Sequence, residues 1–417
     1  MSRRTVAALA AIAVAAALVV AVSPASARPG VRVGGTLNID LSTDLDYTDP
    51  ALAYLSSSWE LEFATGLKLL NYPDANGPRA SQLEPEAATA LPKVSNGGRT
   101  YDFTVDAPWT KFSNGEAVTA ASFAAALNRI ADPKMQSPAT TFLSDIAGAQ
   151  AVIDGKASSI SGVKVGGKHL VVTLTRASPD FLARIAMPFF TAIPVNLAHD
   201  PNGVLTPPSA GPYFIASRTP NRDIVLKRNP YYKGKRPHNL SGIAYHIGDS
   251  LEAIQLNVQS GRSDYAAQGV PPTAYAELAR KYGINKGRFW VKPQIAVQYV
   301  AMNTEQPLFK NNAPLRKAVN YALDRRALLT QSGFLAGQRT DQILPPGVPG
   351  YRNAALYPLK GPDLTTARKY AQGNTRSGKA VLYASNRGAS RIRQPDASQQ
   401  QSPFPRPWTW NSGSTPR

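Results

Sequence analysis

Cysteine is absent from the 417-residue sequence. Without disulfides the chain must owe its stability to a large hydrophobic core, and without a cysteine to acylate we expect it not to be a lipoprotein. A chain of this length exceeds what one hydrophobic core usually supports, so we expect two lobes or domains.

Short catalytic motifs are missing as well. The sequence has no G-x-S-x-G, H-E-x-x-H, Walker A or G-x-G-x-x-G pattern. Its four histidines, His169, His199, His238 and His246, are scattered, and the eight-residue spacing of the last two matches no common zinc site. We therefore predict no catalytic residue, no cofactor and no metal site, and the absence of a phosphate loop means that the chain itself cannot spend ATP.

Acidic residues are scarce relative to basic ones. The chain has 46 lysines and arginines against 27 aspartates and glutamates, a formal net charge of +19. We interpret the basic residues as spread along the chain, because no block of five or six occurs. We predict no nucleic-acid binding; contact with anionic cell-envelope polymers fits this charge better.

The N-terminus has the pattern of a secretory signal peptide. Arg3 and Arg4 precede an unbroken apolar run from Val6 to Val22, followed by Pro24 and the small residues 25–27. The alanine-rich run is short for spanning a bilayer, which makes an uncleaved anchor the weaker alternative. We predict cleavage after Ala27 and export to the periplasmic or extracytoplasmic space; the paired arginines hint only weakly at twin-arginine rather than general secretion.

Two periodicities alternate along the chain and predict a mixed α/β fold. Period-two patterns predict strands at 36–41 and 223–228, and hairpins at 93–105 and 163–175 that turn at Asn96-Gly97-Gly98 and Gly166-Gly167. Period-3.6 patterns predict a helix over 120–131 capped by Thr119, and a single helix that begins at Pro314 and runs to Leu329. Residues 387–417 lose all periodicity, and their glutamines and prolines predict a disordered or frameshifted tail.

Several segments, in order, resemble one family: the extracytoplasmic solute-binding proteins of ABC importers, family 5, the oligopeptide, dipeptide and nickel group. They include GGTLNID (34–40), DYTDPALA (46–53), KFSNGEAVTAASFAAALNRI (111–130), SAGPYFIASRTPNRDIVLKRNPYYKG (209–234), VQSGRSDYA (258–266) and PLFKNNAPLRKAVNYALDRRALL (307–329). The resemblance covers roughly residues 34–386.

The resemblance implies a two-lobed clamshell of the type II periplasmic-binding-protein kind. By this reasoning 28–60 and 176–265 form lobe one, 61–175 a satellite subdomain on it, and 266–386 an incomplete second lobe. The turn and helix at 111–131 then belong to the satellite scaffold and not to the ligand site. If the chain is truncated near residue 386, ligand retention is expected to be weak or absent.

The resemblance also suggests ligand contacts. Tyr47 and Asp49 follow the first strand, where the family places residues at the edge of the cleft. Tyr299 and Asn303 lie in VQYVAMNT, which we interpret as a second-lobe strand whose end faces the cleft. Each of the four could equally be an ordinary strand or turn residue.

The predicted function is that of a monomeric receptor that closes over an oligopeptide or other small solute and delivers it to the membrane permease and ATPase subunits of an ABC importer. The sequence does not distinguish a peptide from nickel or a sugar as the ligand. Two alternatives stay open: an exported hydrolase of peptides or cell-wall fragments, and a truncated relic of the receptor that no longer binds.

Overall fold

A computed structural model of the chain describes residues 33–75, 77–292, 294–332, 335–346, 348, 350–376, 380–382 and 408–409. The predicted signal peptide and its cleavage site lie outside the described residues, as does the predicted 387–417 tail apart from Trp408 and Thr409. The chain divides into two compact units, residues 1–270 and 271–417. The predicted lobe and subdomain limits stay predictions.

The first unit alternates short strands with helices. Its strands are β1 (Thr36–Leu41), β2 (Leu70–Asn71), β3 (Glu84–Pro85), β4 (Lys93–Ser95), β5 (Thr100–Thr104), β6 (Val163–Gly166), β7 (His169–Thr173), β8 (Tyr213–Thr219), β9 (Asp223–Arg228), β10 (Gly242–Ile247) and β11 (Tyr265–Ala266). Its helices are α1 (Ser56–Thr65), α2 (Ala120–Ala131), α3 (Ala149–Ile153), α4 (Phe181–Ile185) and α5 (Leu251–Ser260).

A five-stranded mixed sheet has the order β11-β1-β10-β9-β8. Strand β1 is parallel to both of its neighbours, and Ile39 at its centre lies between Tyr245 and Tyr265. Alternating apolar residues of these strands pack with Leu61 of α1 in a buried core on one face of the sheet. Because β1, β10 and β11 run in the same direction, their carboxyl ends meet at one edge, the usual position for ligand sites in such sheets.

A second sheet, of order β4-β5-β7-β6, carries the larger core of the first unit. The predicted turn at Asn96, Gly97 and Gly98 has positive φ at all three residues, and Tyr101 and Phe103 are buried on alternate positions, as the sequence predicts. The predicted helix is present as α2 (Ala120–Ala131), which begins directly after Thr119 and buries its apolar face in this core. Both hairpins and this helix are therefore confirmed.

The second unit contains α6 (Tyr275–Tyr282), α7 (Ala313–Ala322), α8 (Arg325–Gln331), α9 (Leu364–Ala371), β12 (Val381–Leu382) and β13 (Trp408–Thr409). Strands β12 and β13 pair antiparallel. The single helix predicted from Pro314 to Leu329 is wrong, because the chain leaves the helical conformation at Leu323. Asp324 then starts α8 as its N-cap, with Oδ1 accepting hydrogen bonds from the N–H groups of Arg326 (3.0 Å) and Ala327 (2.9 Å).

The strand expected over VQYVAMNT is also a correction. Residues 297–303 form no strand. A strand needs a neighbour to pair its N–H and C=O groups, and among the described residues of the second unit β12 and β13 pair only with each other. The family resemblance alone therefore does not make this segment a strand.

Basic residues occur in both units, but the acidic residues that balance them are concentrated in the first. Residues 1–270 contain 24 lysines and arginines and 21 acidic residues, whereas residues 271–417 contain 22 and 6. Most of the net charge therefore belongs to the second unit. Within the described ranges, no helix has the length and apolar character to cross a bilayer.

The break between α7 and α8 gives a first prediction. Replacing Asp324 by alanine removes the acceptor for two N–H groups, a loss of about 1 kcal/mol, so the amides of Arg326 and Ala327 should exchange with deuterium about fivefold faster. Asp324→Asn, which keeps an acceptor oxygen, should exchange as the unaltered protein does. Equal exchange in all three proteins would contradict the assignment of Asp324 as a cap.

Candidate functional site

The loop that follows β1 is held in place by three aspartates. Residues 42–55 leave the sheet at the edge where the parallel strands end, and Gln268 anchors their start: its Oε1 accepts hydrogen bonds from the N–H groups of Ser42 and Thr43, both at 2.9 Å. Asp44, Asp46 and Asp49 then follow at close intervals, so their three carboxylates determine the path of the loop.

Asp44 fastens the loop to the turn between β8 and β9. Its carboxylate lies 3.2 Å from a guanidinium nitrogen of Arg218, and the two side chains are nearly buried. The same carboxylate accepts hydrogen bonds from the N–H groups of Asn221 (2.6 Å) and Leu45 (2.7 Å). The turn and the loop therefore form one wall.

Asp46 fastens the loop to the start of α1. Its oxygens accept hydrogen bonds from the N–H groups of Tyr47 (2.8 Å), Tyr54 (2.8 Å) and Leu55 (3.0 Å), and from the Ser58 hydroxyl. Leu55 is the residue before the helix, so this carboxylate serves the helix N-terminus, where a negative charge is favourable.

Asp49, one of the predicted ligand contacts, forms a buried ion pair with Arg129 of α2. Two parallel hydrogen bonds of 2.6 Å join the carboxylate to the guanidinium, and both side chains are almost completely buried. The carboxylate also accepts hydrogen bonds from the N–H groups of Ala51 (3.1 Å) and Val204 (2.9 Å). Asp49 thus joins the loop to α2 and to residues 202–205, and none of its surface is exposed.

Tyr47, the other predicted contact in this loop, lines an open recess of about 290 Å³. The walls are residues 44–49, 202–205, Arg218, Pro220 and Asn221. Tyr47 is 36% exposed. Gly203 has φ +77°, and a Cβ placed on it would lie 3.2 Å from the Tyr47 ring and 3.1 Å from Asp49 Cβ, so a glycine is required for the tyrosine to lie where it does.

Glu62 of α1 is a buried acid close to this loop. Burial, and to a lesser extent the negative charges of Asp49 and Asp46, raises the pKa of the Glu62 carboxyl well above its ordinary value of 4.5. Its Oε1 has no hydrogen-bond partner among the described residues. Burial at this position therefore favours the protonated, neutral form of Glu62.

The polar groups that line the recess are largely engaged within the protein. Its carboxylates are engaged by arginines and backbone N–H groups, and the Thr48 hydroxyl donates to the Leu205 carbonyl (2.8 Å). What the recess can offer a guest is the tyrosine side chain and the apolar surface of Leu205 and Pro220. No group of three or more potential metal ligands is found in the part of the chain that the structure describes.

A larger recess, of about 790 Å³, lies at the opposite edge of the five-stranded sheet. It is lined by the start of β1 and β10 and by the end of β9, and Lys227, Arg228, Lys233 and His238 give it a basic character. His238 directs Nδ1 at the carbonyl of Arg236 (2.8 Å). The lining of this recess is thus more basic than that of the recess beside Tyr47.

The other two predicted contacts belong to the second unit. Tyr299 is 75% exposed. Asn303 uses Oδ1 to accept a hydrogen bond from the N–H group of Glu305 (2.9 Å). The structure therefore brings Tyr47 and Asp49 together in one loop, and describes Tyr299 and Asn303 as residues of an exposed segment without secondary structure.

Sequence reasoning missed the arginines that organise the loop. Arg129 lies on the helix whose apolar positions are Phe123, Leu127 and Ile130, but it points about 100° away from Ile130 around the helix, so the apolar stripe gave no signal that it is buried. Arg218 had no signal either, because Asp44 is 174 residues away.

Comparison with known proteins settles the family. A family model described as bacterial extracellular solute-binding proteins, family 5 Middle, matches residues 82–402. The chain belongs to this family. The predicted resemblance is thereby confirmed, and the matched region extends past residue 386, where the resemblance read from the sequence ends.

Individual relatives point the same way. The chain is 29% identical over 354 residues to the oligopeptide-binding protein OppA of Bacillus subtilis, an alignment that covers 81% of this chain and 61% of that protein. It is 25% identical over 271 residues to the nickel-binding periplasmic protein of Escherichia coli, with 63% of this chain and 48% of that protein covered. The chain therefore spans about half to three fifths of the length of these relatives.

A solved structure shows the fold. The clavulanic acid biosynthesis oligopeptide binding protein 2 matches with a TM-score of 0.71 at 24% identity, over 82% of this chain and 64% of that one. The chain therefore has the predicted α/β fold of the periplasmic binding proteins. Members of the family are binding proteins located outside the cytoplasm.

The buried ion pair gives a second prediction. Asp49→Asn leaves the Arg129 guanidinium buried without a counter-charge, which costs about 3–5 kcal/mol. The melting temperature of the first unit should fall by about 10 °C in calorimetry. Asp154→Asn, which removes the acid of the exposed Lys156–Asp154 pair, should leave it unchanged. A loss no greater than that of the control would show that Arg129 finds another partner.

Glu62 gives a third prediction, which concerns pH. Because the folded protein keeps this carboxyl protonated at a pH where the unfolded chain ionises it, unfolding releases a proton and stability falls as pH rises above about 4.5. Glu62→Gln removes this dependence. The gain in melting temperature of the variant over the unaltered protein should therefore be larger at about pH 8 than at about pH 5.

Glu84→Gln is the matched control, since Glu84 is exposed and pairs with Arg79 at 2.9 Å. Its difference from the unaltered protein should not grow with pH. A Glu62→Gln difference that is constant with pH would mean that the Glu62 carboxyl is ionised in the folded protein.

Proposed function

We propose that the protein is an extracytoplasmic receptor that holds a small solute, in the first instance an oligopeptide, and delivers it to the permease and ATPase subunits of an ABC importer. The observation that carries this proposal is the family 5 match over residues 82–402, supported by the likeness to oligopeptide-binding relatives. The proposal includes export with cleavage after Ala27 and action as a monomer without a cofactor.

The proposed chemistry is binding without catalysis. An extended peptide offers unpaired N–H and C=O groups, and a receptor that pairs with them can hold many sequences while side chains occupy roomy pockets. Closure of such a receptor about its hinge would present the loaded form to the importer.

Within this scheme we assign different roles to the four candidate residues. Tyr47 is the proposed contact in the first unit, because its partly exposed side chain lines the recess beside the fixed loop. Asp49 acts through its ion pair with Arg129, which holds that loop in place. Tyr299 and Asn303 are the proposed contacts from the second unit.

A fourth prediction tests this function with a mixture of short peptides. Saturation-transfer NMR detects weak binders, so it suits a chain that spans about three fifths of OppA. We expect signal transfer to peptides, and Tyr47→Ala or Tyr299→Ala should weaken binding at least about fivefold, as loss of an anchoring aromatic does. Tyr231→Ala, which removes a comparably exposed tyrosine outside the Tyr47 recess, is the control.

The same samples separate the receptor from its alternatives. Mass spectrometry of the peptides after incubation should recover them intact; cleavage products would favour an exported hydrolase. No transfer to any peptide would favour the non-binding relic or a different ligand class, and mass spectrometry of small molecules that co-purify with the protein would distinguish these two.

A further inference from the structure

The second unit carries nearly all of the net charge of the chain. It contains 22 basic residues and only 6 acidic ones, whereas basic and acidic residues are nearly equal in number in the first unit. Five of these cations lie in the thirteen residues from Arg280 to Lys292, a segment without a single acid that we call the basic loop. The nearest acids in sequence are Glu277 on α6 and Glu305.

The basic loop is folded tightly against α6. Gly283 and Asn285 adopt positive φ angles and turn the chain. The Asn285 N–H donates to the Phe289 carbonyl (2.9 Å), and the Asn285 side chain accepts from the Val291 N–H (2.8 Å). Phe289 is buried, with its ring centroid 6.2 Å from that of Tyr275. The loop is therefore a fixed structure.

This structure displays its cations around an aromatic ring. The Lys281 ammonium lies 5.2 Å, and the Arg288 guanidinium 5.9 Å, from the centroid of Tyr282. Both distances are within the range of cation–π contacts. Lys281, Lys286 and Lys292 are all exposed, so these three charges are available to an anion from solution.

Exposed apolar side chains accompany the charges. Trp290 is 61% exposed, and its indole N–H donates to the Gly287 carbonyl (2.8 Å), which fixes the ring at the loop surface. Ile284 is 38% and Ile295 75% exposed. Segments that lie in the interface of a lipid bilayer typically combine lysine and arginine with exposed tryptophan and aliphatic side chains, as this one does.

We propose that the basic loop is a docking surface for an anionic lipid membrane. The cations lie among the phosphate headgroups, and Trp290 and Ile295 enter the boundary between headgroups and acyl chains. An anionic polymer would engage the charges equally well but would leave the apolar side chains in water, which is why the lipid surface is the better fit. The proposal does not depend on the identity of the solute.

The fifth prediction is tested by co-sedimentation of the full chain with vesicles. The protein should sediment with vesicles of phosphatidylglycerol and phosphatidylcholine in equal parts, and not with phosphatidylcholine alone. Because each basic residue near an anionic surface contributes about fivefold to binding, the triple variant Lys281→Gln/Lys286→Gln/Lys292→Gln should bind about a hundredfold more weakly. Circular dichroism melting verifies that the variants are folded.

The matched control is Arg339→Gln/Arg352→Gln/Lys360→Gln, three exposed cations of the same unit. This control removes the same number of positive charges, and its affinity for the anionic vesicles should fall by less than about fivefold. Tryptophan fluorescence adds a measurement that does not depend on net charge. The emission maximum should shift to shorter wavelength when the anionic vesicles are added, and this shift should be missing in Trp290→Phe.

Three outcomes would overturn the proposal. They are equal sedimentation with neutral and anionic vesicles, an equal loss in the control variant, and a blue shift that persists in Trp290→Phe. Binding to soluble polyphosphate without binding to anionic vesicles would also overturn it, since that result would identify the loop as a polymer site.

Discussion

The bidentate pair between Asp49 and Arg129 is the constraint on which the candidate site depends. A guanidinium and a carboxylate, both buried, tolerate no alternative arrangement without leaving a charge unpaired in the protein interior. The pair connects the loop after β1 to the helix of the neighbouring core. Asp44 and Asp46 then fasten the loop on either side, to Arg218 and to the start of α1. Tyr47 is therefore positioned by the carboxylates on either side of it, one of which accepts a hydrogen bond from its own N–H group.

Local patterns were enough to predict the elements that rest on nearby residues. The hairpin turn at Asn96-Gly97-Gly98 needs positive φ at successive residues, and α2 follows a threonine cap with an apolar stripe, so both can be recognised in a short window. The family could be recognised because its segments recur in order along the chain. Tyr47 and Asp49 could be placed in one loop for the same reason.

Features that depend on distant partners could not be predicted. Arg129 meets an aspartate 80 residues away, and nothing in the α2 pattern specifies which acid that is. Asp324 reads equally well as a solvent-facing helix residue and as the cap that ends one helix and begins another. The strand expected at residues 297–303 has no pairing neighbour in the described structure, and pairing is a property of the whole fold.

The absence of a side chain at Gly203 has a consequence for how this site can change. The width of the recess beside Tyr47 depends on residue 203 having no side chain. Even a methyl group there would press on both the Tyr47 ring and the Asp49 side chain. A side chain at residue 203 would therefore disturb the recess and the side chain of Asp49 together. Substitutions that reshape the recess therefore have to occur at outer residues such as Leu205 and Pro220, and not at Gly203.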